Sequence, residues 1–225
     1  KNFFGNLLDT SAESLLNFLS STAQTVFTIF IMPVYVFFLL YYRNKYFYFL
    51  MMIIAPDNHS VAEKTIRDIS TVVKRYMTGV FFVVMILCVI NSIGLTIIGL
   101  KYPVLLGIIA AIWNFIPYFG TIIGYSFPLV MALITGDGPE TAVGVAVLFV
   151  IVQFTENNIL TPNITGGHVR VNPFFVILGV LIGGVVWGIP GMFVMVPTLF
   201  ILRITFENIP SLRPWAYLIV DTGPE

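Results

Sequence analysis

The chain of 225 residues is too apolar and too poor in charge for a water-soluble protein. Hydrophobic residues make up 58% of it and charged residues 10%, whereas soluble domains carry roughly 25% charged residues. Eleven basic and eleven acidic residues give a net charge of zero, which leaves no basic surplus for nucleic acid. One cysteine and two histidines cannot form a disulfide framework or a cysteine or histidine metal cluster. The composition predicts an integral membrane protein without cofactor, metal or nucleic-acid partner.

The amino-terminal part is predicted to hold an amphipathic segment and one membrane span. Residues 1–21 are polar enough to lie outside the bilayer, on the extracytoplasmic side, and Thr10 and Glu13 have the spacing of a capping box. The first span is predicted over about 22–42, where it is followed by aromatic rings and cations that suit the headgroup layer. Because the chain begins at Lys1 without a signal-peptide pattern, we expect it to be the later part of a longer protein.

A polar segment over 56–76 is predicted to form a cytoplasmic amphipathic helix that lies along the membrane. Glu63 and Arg67 have i,i+4 spacing, as do Lys64 and Asp68, and apolar side chains recur on one face. Six of the eleven basic residues lie between residues 43 and 75. Cytoplasmic loops are enriched in Lys and Arg, so this segment is placed in the cytoplasm.

The later spans are predicted over 77–99, 103–135 (paired), 139–160 and 172–206 (paired). The uncharged stretches 102–136 and 171–202 have 35 and 32 residues. About 20 helical residues cross a hydrocarbon core of about 30 Å, so each long stretch must turn inside or across the membrane. The sequence leaves open whether these stretches cross fully or form re-entrant hairpins. The predicted fold is an all-α polytopic helical bundle, with one transmembrane domain over 1–225.

Both paired stretches are interrupted by a similar proline and glycine pattern. Proline removes a helical hydrogen bond, and in lipid such a break is tolerated where protein or a water-filled cavity satisfies the freed backbone groups. Matched breaks in segments that enter from opposite sides are typical of a transporter's midplane binding site. Each break taken alone is equally compatible with a kink that serves packing only. The predicted broken-helix hinges are Ile116, Pro117, Gly120, Ile189, Pro190 and Gly191.

A polar cluster at the end of the 139–160 span is the predicted binding site. Gln153, Glu156 and Asn157 share one helix face by i,i+3 and i,i+4 spacing. A carboxylate in hydrocarbon costs about 2.5–3.5 kcal/mol on the insertion scale, so it usually faces a cavity or a partner. Together these groups can bind a cation or a proton, or hydrogen-bond a neutral hydroxylated solute. The alternative is that Glu156 simply lies at headgroup level.

Two residues outside this span extend the predicted site. Asn114 lies beside the first break and is a candidate ligand. Arg170, in a loop after a glycine pair, is a candidate partner of Glu156, although residues of this kind are more often solvated loop residues.

Four motifs stand out in the later part of the chain: Trp113-Asn-Phe-Ile116-Pro117-Tyr-Phe-Gly120, Gln153-x-x-Glu156-Asn157-Asn158, Asn172-Pro173 and Trp187-Gly188-Ile189-Pro190-Gly191-Met192. They resemble motifs of the autoinducer-2 exporter (AI-2E) family of bacterial transporters. The resemblance covers most of 100–200, and the chain resembles the later two-thirds of a member. It implies a multi-pass transporter of the bacterial inner membrane, a homo-oligomer (a pentamer is reported for the family), and efflux of a small solute such as autoinducer-2. Some members are described instead as sodium/proton antiporters.

A secondary transporter is therefore the leading functional prediction, with the lipid bilayer, a small solute or Na⁺/H⁺, and further copies of the chain as partners. A channel-like oligomeric pore and a purely structural membrane module remain alternatives. An intramembrane enzyme is disfavoured, because both histidines lie outside the apolar stretches and Asp137 is the only Asp between residues 69 and 220.

Overall fold

A computed structural model describes residues 27–136, 138–165 and 171–221, and these are almost entirely helical. The predicted segment over 1–21 lies outside them. Within the described residues the only extended pairing is one bridge between Val171 and Val220, so the predicted all-α fold is confirmed. The helices are α1 (described over Phe27–Tyr41), α2 (Arg43–Ile53), α3 (His59–Ile98), α4 (Pro103–Trp113), α5 (Phe119–Thr135), α6 (Pro139–Thr155), α7 (Thr161–Thr165), α8 (Pro173–Trp187), α9 (Ile189–Asn208) and α10 (Arg213–Ile219), with short 3₁₀ turns before α3 and α10.

The chain divides into two compact units, Lys1–Ala62 and Glu63–Glu225. In the first unit, α1 and α2 are bent by 56° relative to each other at Tyr42, and their large apolar side chains are exposed, as suits contact with lipid. The described part of the predicted 22–42 span is α1. The second helix, α2, was not predicted from the sequence. By length and composition the bent pair forms one broken span or a re-entrant loop.

Helix α3 has 40 residues, which makes it about 60 Å long and about twice the thickness of the hydrocarbon core. It joins the predicted amphipathic segment 56–76 and the predicted span 77–99 without a break. The physical reason is that residues 59–78 contain neither proline nor glycine, so nothing ends the helix at the boundary. A separate helix over 56–76 is therefore not found.

Two helical hairpins occupy the paired stretches, and we call α4–α5 the first hairpin and α8–α9 the second. In each hairpin the two helices approach closely because glycines lie between them. In the first hairpin, a Cβ at Gly124 would lie 2.7 Å from the carbonyl oxygen of Ala110. In the second hairpin, Gly183 and Gly191 face each other without side chains. Helix α4 has 11 residues, about 16 Å, and is too short to cross the bilayer alone.

Among the described residues, three helices are long and apolar enough to cross a membrane, or up to four when the bent pair α1–α2 counts as one span. They are Pro56–Ile98, Pro139–Ile164 and Ile189–Asn208. The chain is thus a multi-pass membrane protein, as its composition predicts.

The core places the first hairpin between α3, α6 and the second hairpin. One buried cluster joins α3, α4, α5 and α6, and another joins the first break to the second hairpin. Phe115 and Phe193 meet edge to face across the two hairpins, with ring centroids 5.3 Å apart. The buried members of these clusters include Leu95, Ala110, Ala132, Val145, Ile116, Val180, Val196 and Phe200.

Asn91 of α3 is fully buried, and neither its Oδ1 nor its Nδ2 has a hydrogen-bond partner among the described residues. An unsatisfied buried polar group costs about 1–3 kcal/mol. We therefore expect Asn91→Leu, which has the same branched shape, to raise the apparent Tm of the detergent-solubilised protein by several degrees. A lower Tm would show instead that this amide binds a water molecule or a ligand in the native protein.

Candidate functional site

The polar cluster lies where α6 gives way to a π-helical turn, Glu156–Leu160. The turn is closed by the Thr161 N–H, which donates to the Glu156 carbonyl five residues earlier. Its cause is in the sequence: Pro162 has no N–H, and its ring would clash with the carbonyl four residues before it. Such turns interrupt the regular α-helical phase and occur frequently at functional sites.

The side chain of Glu156 is 8% exposed and receives a hydrogen bond on each carboxylate oxygen. Asn114 Nδ2 donates to Oε1 over 2.7 Å, and Gln153 Nε2 donates to Oε2 over 3.2 Å. Gln153 Nε2 also donates to Asn157 Oδ1 over 3.0 Å. The structure thus brings together four of the predicted site residues, including Asn114, which is 42 positions from Glu156 along the chain.

Tyr125 of α5 belongs to the same network, and the sequence analysis missed it. Its hydroxyl donates to Gln153 Oε1 over 3.1 Å, while its ring stacks on Phe149 with centroids 3.9 Å apart. The signal that could have found it is a tyrosine within an uncharged membrane stretch, because a buried phenol hydroxyl needs a partner. The network therefore ties α5, α6 and the first break to one carboxylate.

The first break lies between the end of α4 and the start of α5, where the sequence predicts it. Ile116 is buried, and Tyr118 has a φ of 65°, in the left-handed region. Gly120 packs directly on the carbonyl of Trp113. Backbone N–H groups of residues 114–116 donate to carbonyls three residues earlier, so the break satisfies part of its own backbone.

The second break differs from the prediction by one residue. It lies at Gly188, whose φ of 66° favours glycine, whereas Ile189, Pro190 and Gly191 form the first turn of α9. Proline is well placed there, since the first N–H groups of a helix need no intrahelical acceptor. Ile189 and Pro190 line a separate apolar cavity of about 500 Å³ with Trp113 and other apolar side chains. The structure does not bring this break to Glu156.

A cavity of about 680 Å³ opens beside Glu156. Sites for small molecules commonly measure about 300–1,000 Å³ and combine an apolar wall with a few polar groups. Glu156 is the only acidic or basic side chain among the described residues that line the cavity, and valines of α3 form much of its wall. Arg170, its predicted partner, lies outside the described residues. The polar lining comprises Tyr76, Asn114, Tyr118, Thr121, Gln153, Glu156, Asn157 and Thr161.

The network makes Tyr125→Phe an informative variant. It removes one hydroxyl and keeps the ring that stacks on Phe149. A neutral hydrogen bond contributes about 0.5–1.5 kcal/mol, so we expect transport by proteoliposomes to fall roughly two- to tenfold while the protein elutes normally from a sizing column. An unchanged transport rate would show that the hydrogen bond from Tyr125 is not required for transport.

Comparison with known proteins gives a consistent result. Residues 1–211 match the family described as AI-2E family transporter. YrrI of Bacillus subtilis, named as a candidate transport protein, is 35% identical over 148 residues, which are 66% of this chain and 41% of YrrI. YueF of the same organism, named likewise, is 27% identical over 94% of this chain and 57% of its own length. PerM of Escherichia coli, named as a candidate permease, is 26% identical over 92% and 57%.

The chain spans about half the length of these relatives. The family match nevertheless covers nearly all of it, including both hairpins and the polar cluster beside Glu156. Together with the membrane-spanning helices, the match confirms the resemblance found in the sequence. The chain belongs to the AI-2E family of membrane transport proteins.

Proposed function

We propose that the protein is a secondary transporter of the bacterial inner membrane that exports a small polar solute, such as autoinducer-2, through the cavity beside Glu156. The observation that carries this proposal is the Glu156 carboxylate. It is buried, accepts hydrogen bonds from two side-chain amides and lines a cavity of about 680 Å³. An intramembrane carboxylate is costly and usually serves a substrate or ion pathway.

The position of Asn114 supplies a coupling mechanism. Its amide is the hydrogen bond that ties the first break to Glu156 on the π-helical turn. A cation or a proton bound at Glu156 competes for the same carboxylate oxygens, so binding weakens this tie. The tip of the first hairpin is then released from α6, and the side of the membrane to which the cavity is open changes. The differential affinity of the ion for the tied and the released state drives the movement.

The same amides serve a neutral solute. Asn114, Gln153 and Asn157 offer both donors and acceptors, and such groups orient a hydroxylated ligand within an otherwise apolar pocket. The apolar wall formed by α3 offers no charged group that could pair with a large organic ion. A solute with several hydroxyl groups therefore fits the cavity better than a large ion does.

Sodium/proton antiport is the second candidate, and one observation favours it. Glu156 and the side-chain oxygens of Gln153 and Asn157 belong to one network, with bonds of 3.0–3.2 Å. Oxygen ligands of this kind suit Na⁺, and a carboxylate among them exchanges Na⁺ for a proton. In this case the cavity serves as the path of the ions.

Proteoliposomes containing the full-length protein separate the two candidates. One set is preloaded with autoinducer-2, and its release is followed; a second set carries an internal pH dye and receives external sodium. Saturable solute release supports efflux, and sodium-dependent proton movement supports antiport. If folded protein supports neither activity, or gives unsaturable flux with single-channel currents, the transporter proposal fails.

A further inference from the structure

A second polar cavity lies between α7 and α3. Its volume is about 710 Å³, and Ile164 is its contribution from α7. The remaining lining residues recur on one face of α3, at 70 and 71, 74 and 75, 78 and 79, and 82. We call this cavity the basic groove. Among the described residues, this groove and the cavity beside Glu156 have no lining residue in common.

The charge of the basic groove is positive and is not neutralised by the described residues. Lys74 and Arg75 both line it, both are exposed, and neither forms an ion pair with a described carboxylate. No acidic side chain is among the described residues that line it, whereas three hydroxyl groups are. Two cations beside hydroxyl groups form a receptor for a phosphate oxygen.

The depth of the groove selects among phosphate sources. Lys74 and Arg75 are the last charges before the uncharged stretch 76–100, so they lie where the span enters the bilayer. Phe82 lies eight positions further along α3, about 12 Å deeper, and forms the apolar end of the groove. A free phosphate ion would use only the polar end, whereas a phospholipid fills both.

We propose that the basic groove binds an anionic phospholipid, with the headgroup phosphate at Lys74 and Arg75 and an acyl chain along Phe82 and Ile164. Basic pockets between transmembrane helices on the cytoplasmic side recognise anionic headgroups in this way. Gly79, which is buried, also lines the groove and adds no side chain to it.

The groove also contacts the transport machinery. Helix α7 has five residues, and it presents Thr161 to the cavity beside Glu156 and Ile164 to the basic groove. A lipid bound in the groove therefore packs on the helix that follows the π-helical turn. Whether an anionic lipid occupies the groove therefore affects the position of the π-helical turn.

The test measures lipid retention by the full-length protein in detergent, using native mass spectrometry. Phosphatidylglycerol and phosphatidylcholine with identical acyl chains are compared on the wild type, on Lys74→Gln/Arg75→Gln and on the matched control Lys64→Gln/Arg67→Gln. The control removes the same charge from the same helix outside the groove. All four positions are exposed, so both variants are expected to elute like the wild type.

We expect the wild type and the control to retain phosphatidylglycerol about tenfold better than phosphatidylcholine, and the groove variant to lose this preference. An excess of inorganic phosphate should leave retention unchanged. The proposal is overturned if both double variants lose the preference equally, if the wild type has none, or if phosphate alone displaces the lipid. Since none of these readouts involves transport, their outcome is independent of the role of Glu156.

Discussion

Glu156→Gln is expected to reduce transport by roughly two orders of magnitude, because hydrogen bonds to a charged group contribute about 1.5–3 kcal/mol and glutamine cannot exchange a cation or a proton. Glutamine keeps the shape of the side chain, so the protein should still fold and be extracted normally. The measurement is the initial rate of solute release, or of sodium-dependent proton movement, from proteoliposomes with equal amounts of protein.

Glu140→Gln is the matched control for this variant. Glu140 lies on the same helix, in its first turn, and its side chain is exposed. It therefore reports the effect of removing one carboxylate from α6 without touching the cavity. A normal rate for Glu156→Gln, or an equal loss in Glu140→Gln, would remove Glu156 from the transport mechanism.

Alanine at Gly120 or Gly183 is expected to destabilise the hairpins strongly. A Cβ at Gly120 would collide with the carbonyl oxygen of Trp113, and a Cβ at Gly183 would collide with the carbonyl of Gly191. Both neighbours are backbone atoms, so the helices must separate rather than a side chain move. Overpacking of this kind costs about 1–3 kcal/mol, and we expect a clear drop in apparent Tm together with loss of transport.

Gly144→Ala provides the comparison, because it also places alanine at a helical glycine. The nearest atoms to its Cβ would be those of the Ile98 side chain, at 3.6–3.8 Å, which is ordinary van der Waals contact. We expect an unchanged or slightly raised Tm, since alanine favours the helix over glycine. If all three variants melt alike, close approach of the hairpin backbones is not what stabilises this part of the protein.

The parts of the site that the sequence predicts are those set by local periodicity. Helical spacing places Gln153, Glu156 and Asn157 on one face, and Ile116-Pro117 marks the first break, as the structure has it. The role of these residues in binding stays a prediction. Single-helix periodicity holds no information on which helices meet, so neither the bond from Asn114 nor the one from Tyr125 could be derived from it.

Element boundaries were predicted less well than the elements themselves. The charge pattern suggested a helix boundary near residue 76, but charge alone does not end a helix, and α3 continues to Ile98. At the second break the proline drew attention to residues 189–191, whereas the chain turns at Gly188, which alone there has a positive φ. Proline restrains the first turn of the new helix, and the glycine before it makes the turn possible.

The most direct test of the central claim, that the cavity beside Glu156 is the transport pathway, is thiol labelling of Thr121→Cys. Thr121 lines the cavity. The control is Leu133→Cys on the same helix, because Leu133 is an exposed apolar side chain that does not line the cavity. Both are made in a Cys88→Ala background, which removes the only cysteine of this sequence. A membrane-impermeant maleimide should label Thr121→Cys and leave Leu133→Cys unlabelled. Sodium or autoinducer-2, whichever the protein transports, should slow the labelling of Thr121→Cys. Absence of labelling at Thr121→Cys, or labelling that the transported species does not slow, would contradict the claim.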